Sequence, residues 1–146
     1  MTTVTSDMTL TVDQEIEIAA PIAGAFEALL AQLGPRSETP DGQSMSMKIE
    51  PWPGGRWFRD LGDDQGHLWG HVQVIKQPTL LEITGPLFMS YPVMSRMQFQ
   101  LTDGGQTTVL ALHHQALGLI QDEHRQGVVP GWQHFLEGVR KHAERQ

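Results

Sequence analysis

The sequence has no cysteine, which excludes a disulfide framework, a thiolate metal site and a cysteine nucleophile. Basic residues are scarce too: 10 Lys and Arg stand against 17 Asp and Glu, so the formal net charge is −7. The three lysines, Lys48, Lys76 and Lys141, are scattered along the chain. Because nucleic acids are bound by clustered Lys and Arg that replace phosphate counterions, this composition argues against a nucleic-acid partner.

Long apolar runs are also missing. No stretch approaches the roughly 20 apolar residues that a membrane-spanning helix needs, so we expect no membrane span. Residues 1–8 contain no basic segment followed by an apolar core, so a secretory signal is not expected either. We therefore expect a cytoplasmic protein with a flexible N-terminus over residues 1–7. The length suits one domain, over residues 8–146, with a self-sufficient core.

The N-terminal part of the sequence predicts one strand and one small helix. Apolar residues from Met8 to Ile18 alternate with polar ones, which is typical of a half-buried strand. Ala20-Pro21 then favours a helix start, and apolar residues at three- and four-residue steps continue to Leu33. Gly34-Pro35 is expected to end this helix.

The middle of the sequence, residues 45–114, predicts a series of five or six antiparallel strands. Short alternating segments are separated by turn signals, of which Asp103-Gly104-Gly105 is a strong hairpin signal. Over residues 67–76 the buried face is ambiguous. Two sets of alternating residues, one containing Trp69 and the other Val72, compete for it.

The last quarter predicts a strand over residues 107–114 that leads into one long amphipathic helix, from Gln121 to about Glu144. Its apolar stripe keeps one helical phase across Pro130, although a proline inside a helix removes a backbone donor. We therefore expect one bent helix instead of two. A helix with such a stripe must cover something, and the preceding strands make a sheet its expected partner.

Several segments carry a resemblance to a known superfamily. Glu17-Ile18-Ala-Ala-Pro21 followed by Ala25-Phe26-Glu-Ala-Leu29 is similar to the first strand and helix of START-like (SRPBCC) proteins. Four further segments, and one pair of residues in the last helix, resemble the branch related to the activator of heat-shock-protein-90 ATPase. They are Pro53-Gly-Gly-Arg56, Gly70-His-Val72, Leu81-Glu-Ile83, Thr108-Val-Leu-Ala-Leu112 and Gly131-Trp132. Their order and spacing cover about residues 10–143.

The resemblance implies an α+β helix-grip fold. In this fold a curved antiparallel sheet of about six to seven strands wraps around the long C-terminal helix, with a small N-terminal helix beside it and a cavity between sheet and helix. Members of the superfamily include carriers of lipids and other hydrophobic ligands, polyketide cyclases, hormone receptors and a co-chaperone domain. The resemblance therefore implies a fold without implying one function.

Seven histidines raise the possibility of a metal site, but their spacing does not favour one. His67 and His71 lie four apart in a predicted strand, which separates them by roughly 13 Å, too far for one zinc ion. His113 and His114 point to opposite faces of their strand. No Gly-x-Ser-x-Gly nucleophile elbow is present. We expect no metal, no cofactor and no catalytic residue set.

The candidate ligand-binding residues are apolar or aromatic side chains that the predicted sheet and helix direct inward. They are Trp57, Trp69, Met97, Phe99, Leu112, His114 and Trp132. His114 shares a strand face with Leu112 and is the best single polar candidate, because polar groups in apolar pockets orient ligands. Ordinary core packing is the alternative interpretation for each of these residues.

Three functions are compatible with the sequence. The first is binding of a small hydrophobic molecule between sheet and terminal helix. The second is a cyclase- or hydrolase-like enzyme using the same cavity, which would need His114 to converge with a residue such as Tyr91 or Arg56. The third is a co-chaperone-like domain that binds a chaperone or another protein through its surface and has a filled cavity. We favour the first over the enzyme.

Overall fold

Seven strands and two helices make up residues 8–145, the part of the chain that the computed structural model describes. The strands are β1 (Thr9–Ile18), β2 (Met47–Ile49), β3 (Arg56–Gly62), β4 (Gln65–Lys76), β5 (Leu80–Gly85), β6 (Val93–Asp103) and β7 (Thr108–Gly118). The helices are α1 (Ile22–Leu33) and α2 (Asp122–Glu144). The predicted flexible segment, residues 1–7, lies outside the described residues.

All seven strands form one antiparallel sheet in the order β1-β7-β6-β5-β4-β3-β2. The first strand of the chain thus lies beside the last one, and the other strands follow in sequence order. The helix α2 contacts both α1 and β1. The predicted helix-grip fold is therefore confirmed, with the long terminal helix lying on a seven-stranded sheet. Among residues 8–145, neither helix combines the length and hydrophobicity that crossing a bilayer requires.

The predicted hairpin between β6 and β7 is confirmed. Gly105 has a φ of +84°, which glycine adopts without strain, and its N–H donates to the Asp103 carboxylate at 2.7 Å. From this turn the two strands stay paired until Val93 lies opposite Gly118. The strand β7 is therefore longer than the predicted segment, because the ladder with β6 continues through polar residues that interrupt the apolar pattern.

A β-bulge explains why the buried face of β4 was ambiguous in the sequence. Trp57 of β3 pairs with Gly70, and the next residue of β3 pairs with Leu68, so Trp69 is the extra residue in β4. A bulge shifts the alternation by one residue. As a result Trp69 and Val72, which belong to different faces in a regular strand, are both buried.

The terminal helix runs without a break through Pro130, as predicted. Its buried residues follow steps of three and four along one face; they are Val128, Trp132, Leu136, Val139 and Ala143. Next to the proline, the backbone carbonyl of Val129 accepts a hydrogen bond from the Gln14 side-chain amide at 3.0 Å. This contact fastens the helix to β1 beside the proline.

The two helices approach closely at Gly138. A Cβ atom on this residue would lie 2.6 Å from the Gln32 amide nitrogen of α1, closer than atoms can pack. Gln32 is itself buried and donates to the Arg36 carbonyl at 3.3 Å. Any side chain on residue 138 would therefore displace the amide group of Gln32 from its buried position between α1 and α2.

Candidate functional site

A cavity of about 400 Å³ lies between α2, the inner face of the sheet and two loops. The helix contributes Gly127, Val128, Gly131, Trp132, His134 and Phe135, and the sheet contributes Trp57, Trp69 and His114. The remaining wall consists of Gln32, Ser37, Glu38, Thr39, Pro40 and Met45 on one side and Leu87 and Phe88 on the other. Most of these side chains are apolar, so the cavity suits apolar contents.

His114 is the most deeply buried polar residue of the wall, with no exposed surface. The indole N–H of Trp132 donates to its Nδ1 at 3.0 Å. Nδ1 is therefore the unprotonated nitrogen, and Nε2 carries the hydrogen that is shared with the Ser95 hydroxyl at 3.1 Å. Burial lowers the pKa of His114 from 6.5 to about 4, so the ring is neutral near pH 7.

Two tryptophans of the sheet form one side of the cavity. The N–H of Trp57 donates to the Leu33 carbonyl at the end of α1, at 2.8 Å. Its ring meets that of Trp69 edge to face, with centroids 5.1 Å apart. The N–H of Trp69 is buried and has no hydrogen-bond partner among the described residues. Trp69 thus differs from Trp57 and Trp132, whose N–H groups are both paired.

The helix side of the cavity is open at two glycines. A Cβ atom on Gly127 or on Gly131 would have no other atom within 4 Å. Both residues lie inside α2 and neither has a positive φ, so the backbone does not require glycine at either place. What the two glycines provide is therefore open space beside the apolar stripe of Val128 and Trp132.

The cavity opens to solvent at a mouth formed by the exposed wall residues Glu38, Pro40, Phe88, Gly127 and Gly131. Glu38 belongs to the loop after α1, where it forms an isolated bridge with Ser44. Its carboxylate lies 3.7 Å from Nε2 of His134 in α2, which is too long for a hydrogen bond.

On the other side of the mouth, the loop between β5 and β6 is tied to the start of α2. The Tyr91 hydroxyl shares a hydrogen bond with Nδ1 of His124 at 2.7 Å and accepts one from the Gln121 N–H at 3.2 Å. The rings of Tyr91 and His124 stack, and Phe88 meets His124 edge to face with centroids 4.9 Å apart. One hydroxyl group therefore holds both the loop and the first turn of the helix.

Comparison with models of known protein families gives a match to the chain. Residues 19–144 match the model of the family described as Activator of Hsp90 ATPase homolog 1-like protein, which is most of the chain. The chain belongs to this family. The resemblance found in the sequence is thereby confirmed. No curated protein matches the chain significantly.

Solved structures with the same fold share little sequence with this family member. Protein MLL2253 from Mesorhizobium loti is 21% identical with a TM-score of 0.69, over 94% of this chain and 98% of that chain. Protein Mll3558 from Rhizobium loti is 19% identical with a TM-score of 0.70, over 92% and 96%. Ara h 8.0201 is 15% identical with a TM-score of 0.68, over 94% and 99%. At these identities the likeness concerns the fold alone.

The seven candidate residues from the sequence occupy two places in this family member. Trp57, Trp69, His114 and Trp132 line the cavity. Met97, Phe99 and Leu112 are buried in the core and are not part of its wall. The ring of Phe99 packs on those of Trp132 and Phe135, with centroids 6.1 and 5.9 Å apart, so it supports the wall from behind.

The convergence that an enzyme in this cavity was expected to need is not formed by the residues named for it. His114 is bonded to Ser95 and Trp132, whereas Tyr91 is bonded to His124. Arg56 pairs with Glu50 at 2.8 Å on the surface, and this ion pair lowers the pKa of Glu50 to about 2. Within residues 8–145, no group of three or more His, Asp or Glu residues could hold a metal ion.

Sequence reasoning missed the parts of the wall that lie in loops and on the backbone. Residues 37–40, Leu87 and Phe88 have no periodicity that would reveal their direction. Gly127 and Gly131 did carry a signal, because glycines four residues apart, each directly before a residue of the apolar stripe, leave a gap beside it.

Proposed function

We propose that this protein binds a small hydrophobic molecule in the cavity between the sheet and α2. The observation that carries the proposal is the apolar wall around about 400 Å³ of space, a volume within the usual range for small-molecule sites. Five aromatic rings contribute to this wall: Trp57, Trp69, Phe88, Trp132 and Phe135. Such rings offer large flat surfaces to an apolar ligand.

The way the cavity is kept open supports the proposal. Gly127 and Gly131 leave open space where almost any other residue would place a side chain. The rings of Trp57 and Trp132 are held in place by hydrogen bonds that their own indole N–H groups donate. A wall that is already arranged before binding loses little side-chain entropy when a ligand enters.

The family gives a second line of support. Proteins with the fold of this family commonly bind hydrophobic ligands, and the chain belongs to it over residues 19–144. Fold membership alone does not identify a ligand, so the proposal depends on the wall of this particular cavity.

The proposal is tested with a neutral fluorescent probe, N-phenyl-1-naphthylamine, whose emission rises in apolar surroundings. We expect saturable binding to the wild-type protein and its loss in Gly131→Leu, because leucine there fills the open space. Gln133→Leu is the matched control, since it adds the same side chain to an exposed position of α2. Equal binding to wild type and Gly131→Leu would show that the probe does not use the cavity. Native mass spectrometry should reveal any ligand retained during purification.

A role in protein interaction is the second candidate, favoured by one surface feature. Met94 and Leu117 lie opposite each other on β6 and β7 and are 58% and 61% exposed, and Leu119 nearby is 59% exposed. Exposed apolar patches often mark protein contacts. The test is the ATPase rate of an Hsp90-type chaperone with the protein added. If this candidate is right, the protein stimulates the ATPase rate. The double variant Met94→Lys, Leu117→Lys should lose this stimulation, and the control Gln115→Lys should keep it.

A further inference from the structure

We infer that the cavity selects uncharged ligands and rejects organic anions such as carboxylates and sulfonates. The inference rests on the proposed function and deepens it by naming the chemical class of the ligand. Its basis is the distribution of charge around the cavity wall.

The wall contains no fixed cation that could neutralise an acid group, and the second of its two histidines, His134, faces the Glu38 carboxylate at 3.7 Å. Among the described residues that line the cavity, none is a lysine or an arginine. Its one carboxylate, Glu38, is at the mouth, where it would repel an approaching anion and already faces His134. The chain as a whole is acidic, with a net charge of −7.

His114 does not supply the missing positive charge. Both of its ring nitrogens are engaged, Nδ1 by the Trp132 N–H and Nε2 by the Ser95 hydroxyl. Protonation of Nδ1 would turn it into a donor facing the donor of Trp132, which breaks that hydrogen bond. The lowered pKa of His114 agrees with this geometry.

An anion would therefore lose its hydration without gaining a lysine or arginine to balance its charge. The cost of burying an unpaired charge far exceeds the gain from additional apolar contact. A neutral hydroxyl or carbonyl oxygen is different, because it carries no charge to neutralise and can accept a hydrogen bond from the unpaired N–H of Trp69 in the wall. One neutral N–H suits such an oxygen but does not neutralise a charge.

Arg59 is the cation that most needs to be tested against this inference. It lies on β3, two residues from Trp57, with a buried Nε that has no hydrogen-bond partner among residues 8–145. It is not part of the cavity wall. If its side chain turned toward the cavity, it could hold an anion, so the experiment includes Arg59→Gln.

The experiment compares two probes that share one aromatic skeleton. N-phenyl-1-naphthylamine is neutral, and 8-anilinonaphthalene-1-sulfonate carries a sulfonate that stays charged at every pH used. Each is titrated into the wild-type protein at pH 7.5, with Gly131→Leu as the cavity-blocked control. We expect the dissociation constant of the sulfonate to be at least about tenfold higher, a difference that is readily measured.

The outcomes separate this inference from the proposed function. Equal affinity for the two probes, both lost in Gly131→Leu, overturns the inference and leaves the proposed function standing. Binding of neither probe overturns both. Tight binding of the sulfonate that Arg59→Gln abolishes identifies an anion site and also overturns the inference.

A gain-of-function variant locates the origin of the selection. Glu38→Lys places a cation at the mouth and should lower the ratio of the sulfonate's dissociation constant to that of the neutral probe several-fold. Glu17→Lys makes the same change in net charge on an exposed position of β1, away from the cavity wall, and should leave this ratio unchanged. If the ratio falls equally in both variants, the selection comes from the overall charge of the protein, and the inference fails.

Discussion

The indole N–H of Trp132 donates a hydrogen bond of 3.0 Å to Nδ1 of His114, which joins the terminal helix to the last strand inside the core. The two residues are 18 positions apart, and their rings meet edge to face with centroids 5.7 Å apart. The bond decides which nitrogen of His114 carries the hydrogen. The protonation state of His114 is therefore linked to the packing of α2 on the sheet.

Acidification should destabilise the protein through His114. Its pKa is about 4 in the folded protein and near 6.5 when exposed, so the unfolded chain takes up the proton first. Stability is at its full value above pH 6.5 and falls as the pH drops toward 4, by on the order of 3 kcal/mol in all. Urea unfolding at several pH values measures this decline.

The variant His114→Gln provides the control for that decline. Glutamine keeps an acceptor for the Trp132 N–H but does not titrate. Burial lowers the pKa of His142 as well, so the variant should keep a shallower decline of the same sign. Parallel pH profiles for wild type and variant would show that His114 is not responsible.

Trp132 should contribute strongly to stability. It is 8% exposed and packs on Phe99 and Phe135, so Trp132→Ala is expected to cost about 3–5 kcal/mol in the free energy of unfolding. Trp132→Phe keeps a ring but leaves Nδ1 of His114 without its donor, which should cost about 1–3 kcal/mol. Unchanged melting of Trp132→Ala with altered probe binding would instead make Trp132 a lining residue with no packing role.

Two helix glycines should respond in opposite ways to alanine. Gly131→Ala should stabilise the protein by up to about 1 kcal/mol, because alanine favours the helix and its Cβ meets open space. Gly138→Ala should destabilise it, because its Cβ would lie 2.6 Å from the Gln32 side chain. Thermal unfolding of the two variants side by side measures the difference. The same sign for both would contradict the packing described for α2.

The Tyr91 hydroxyl should protect the loop between β5 and β6 and the start of α2 from local opening. Tyr91→Phe removes both the acceptor for the Gln121 N–H and the hydrogen-bond partner of His124 Nδ1, at a cost of about 1 kcal/mol. Amide hydrogen exchange should become faster over the loop from residue 86 to 92 and the first turns of α2. Residues 132–144 of the same helix serve as the internal reference, and a uniform increase along α2 would argue against a local role.

The elements of this fold were predictable because their signals are local. Alternation identified β1, the Asp103-Gly104-Gly105 sequence identified the hairpin, and the stripe across Pro130 identified one continuous helix. The buried face of β4 was not predictable, because the bulge at Trp69 depends on pairing with β3.

The cavity was predictable only in part. Side chains on strands and helices have directions that follow from periodicity, so Trp57, His114 and Trp132 could be expected to face inward. The contact of Trp132 with His114 depends on how far α2 is displaced along the sheet, which no local pattern encodes. For Phe99 and Leu112 the inward direction was also right, but both residues are buried in the core and do not reach the cavity wall.

The pairing of β1 with β7 has a consequence for synthesis on the ribosome. As the edge strand, β1 has β7 as its neighbour in the sheet, roughly a hundred residues later in the chain, so it cannot pair until β7 has been translated. A waiting strand with free backbone groups is prone to pair with other chains. The exposed acidic residues of β1, Asp13, Glu15 and Glu17, place charges along this strand. Mutual repulsion between nascent copies would then protect the strand until its partner emerges.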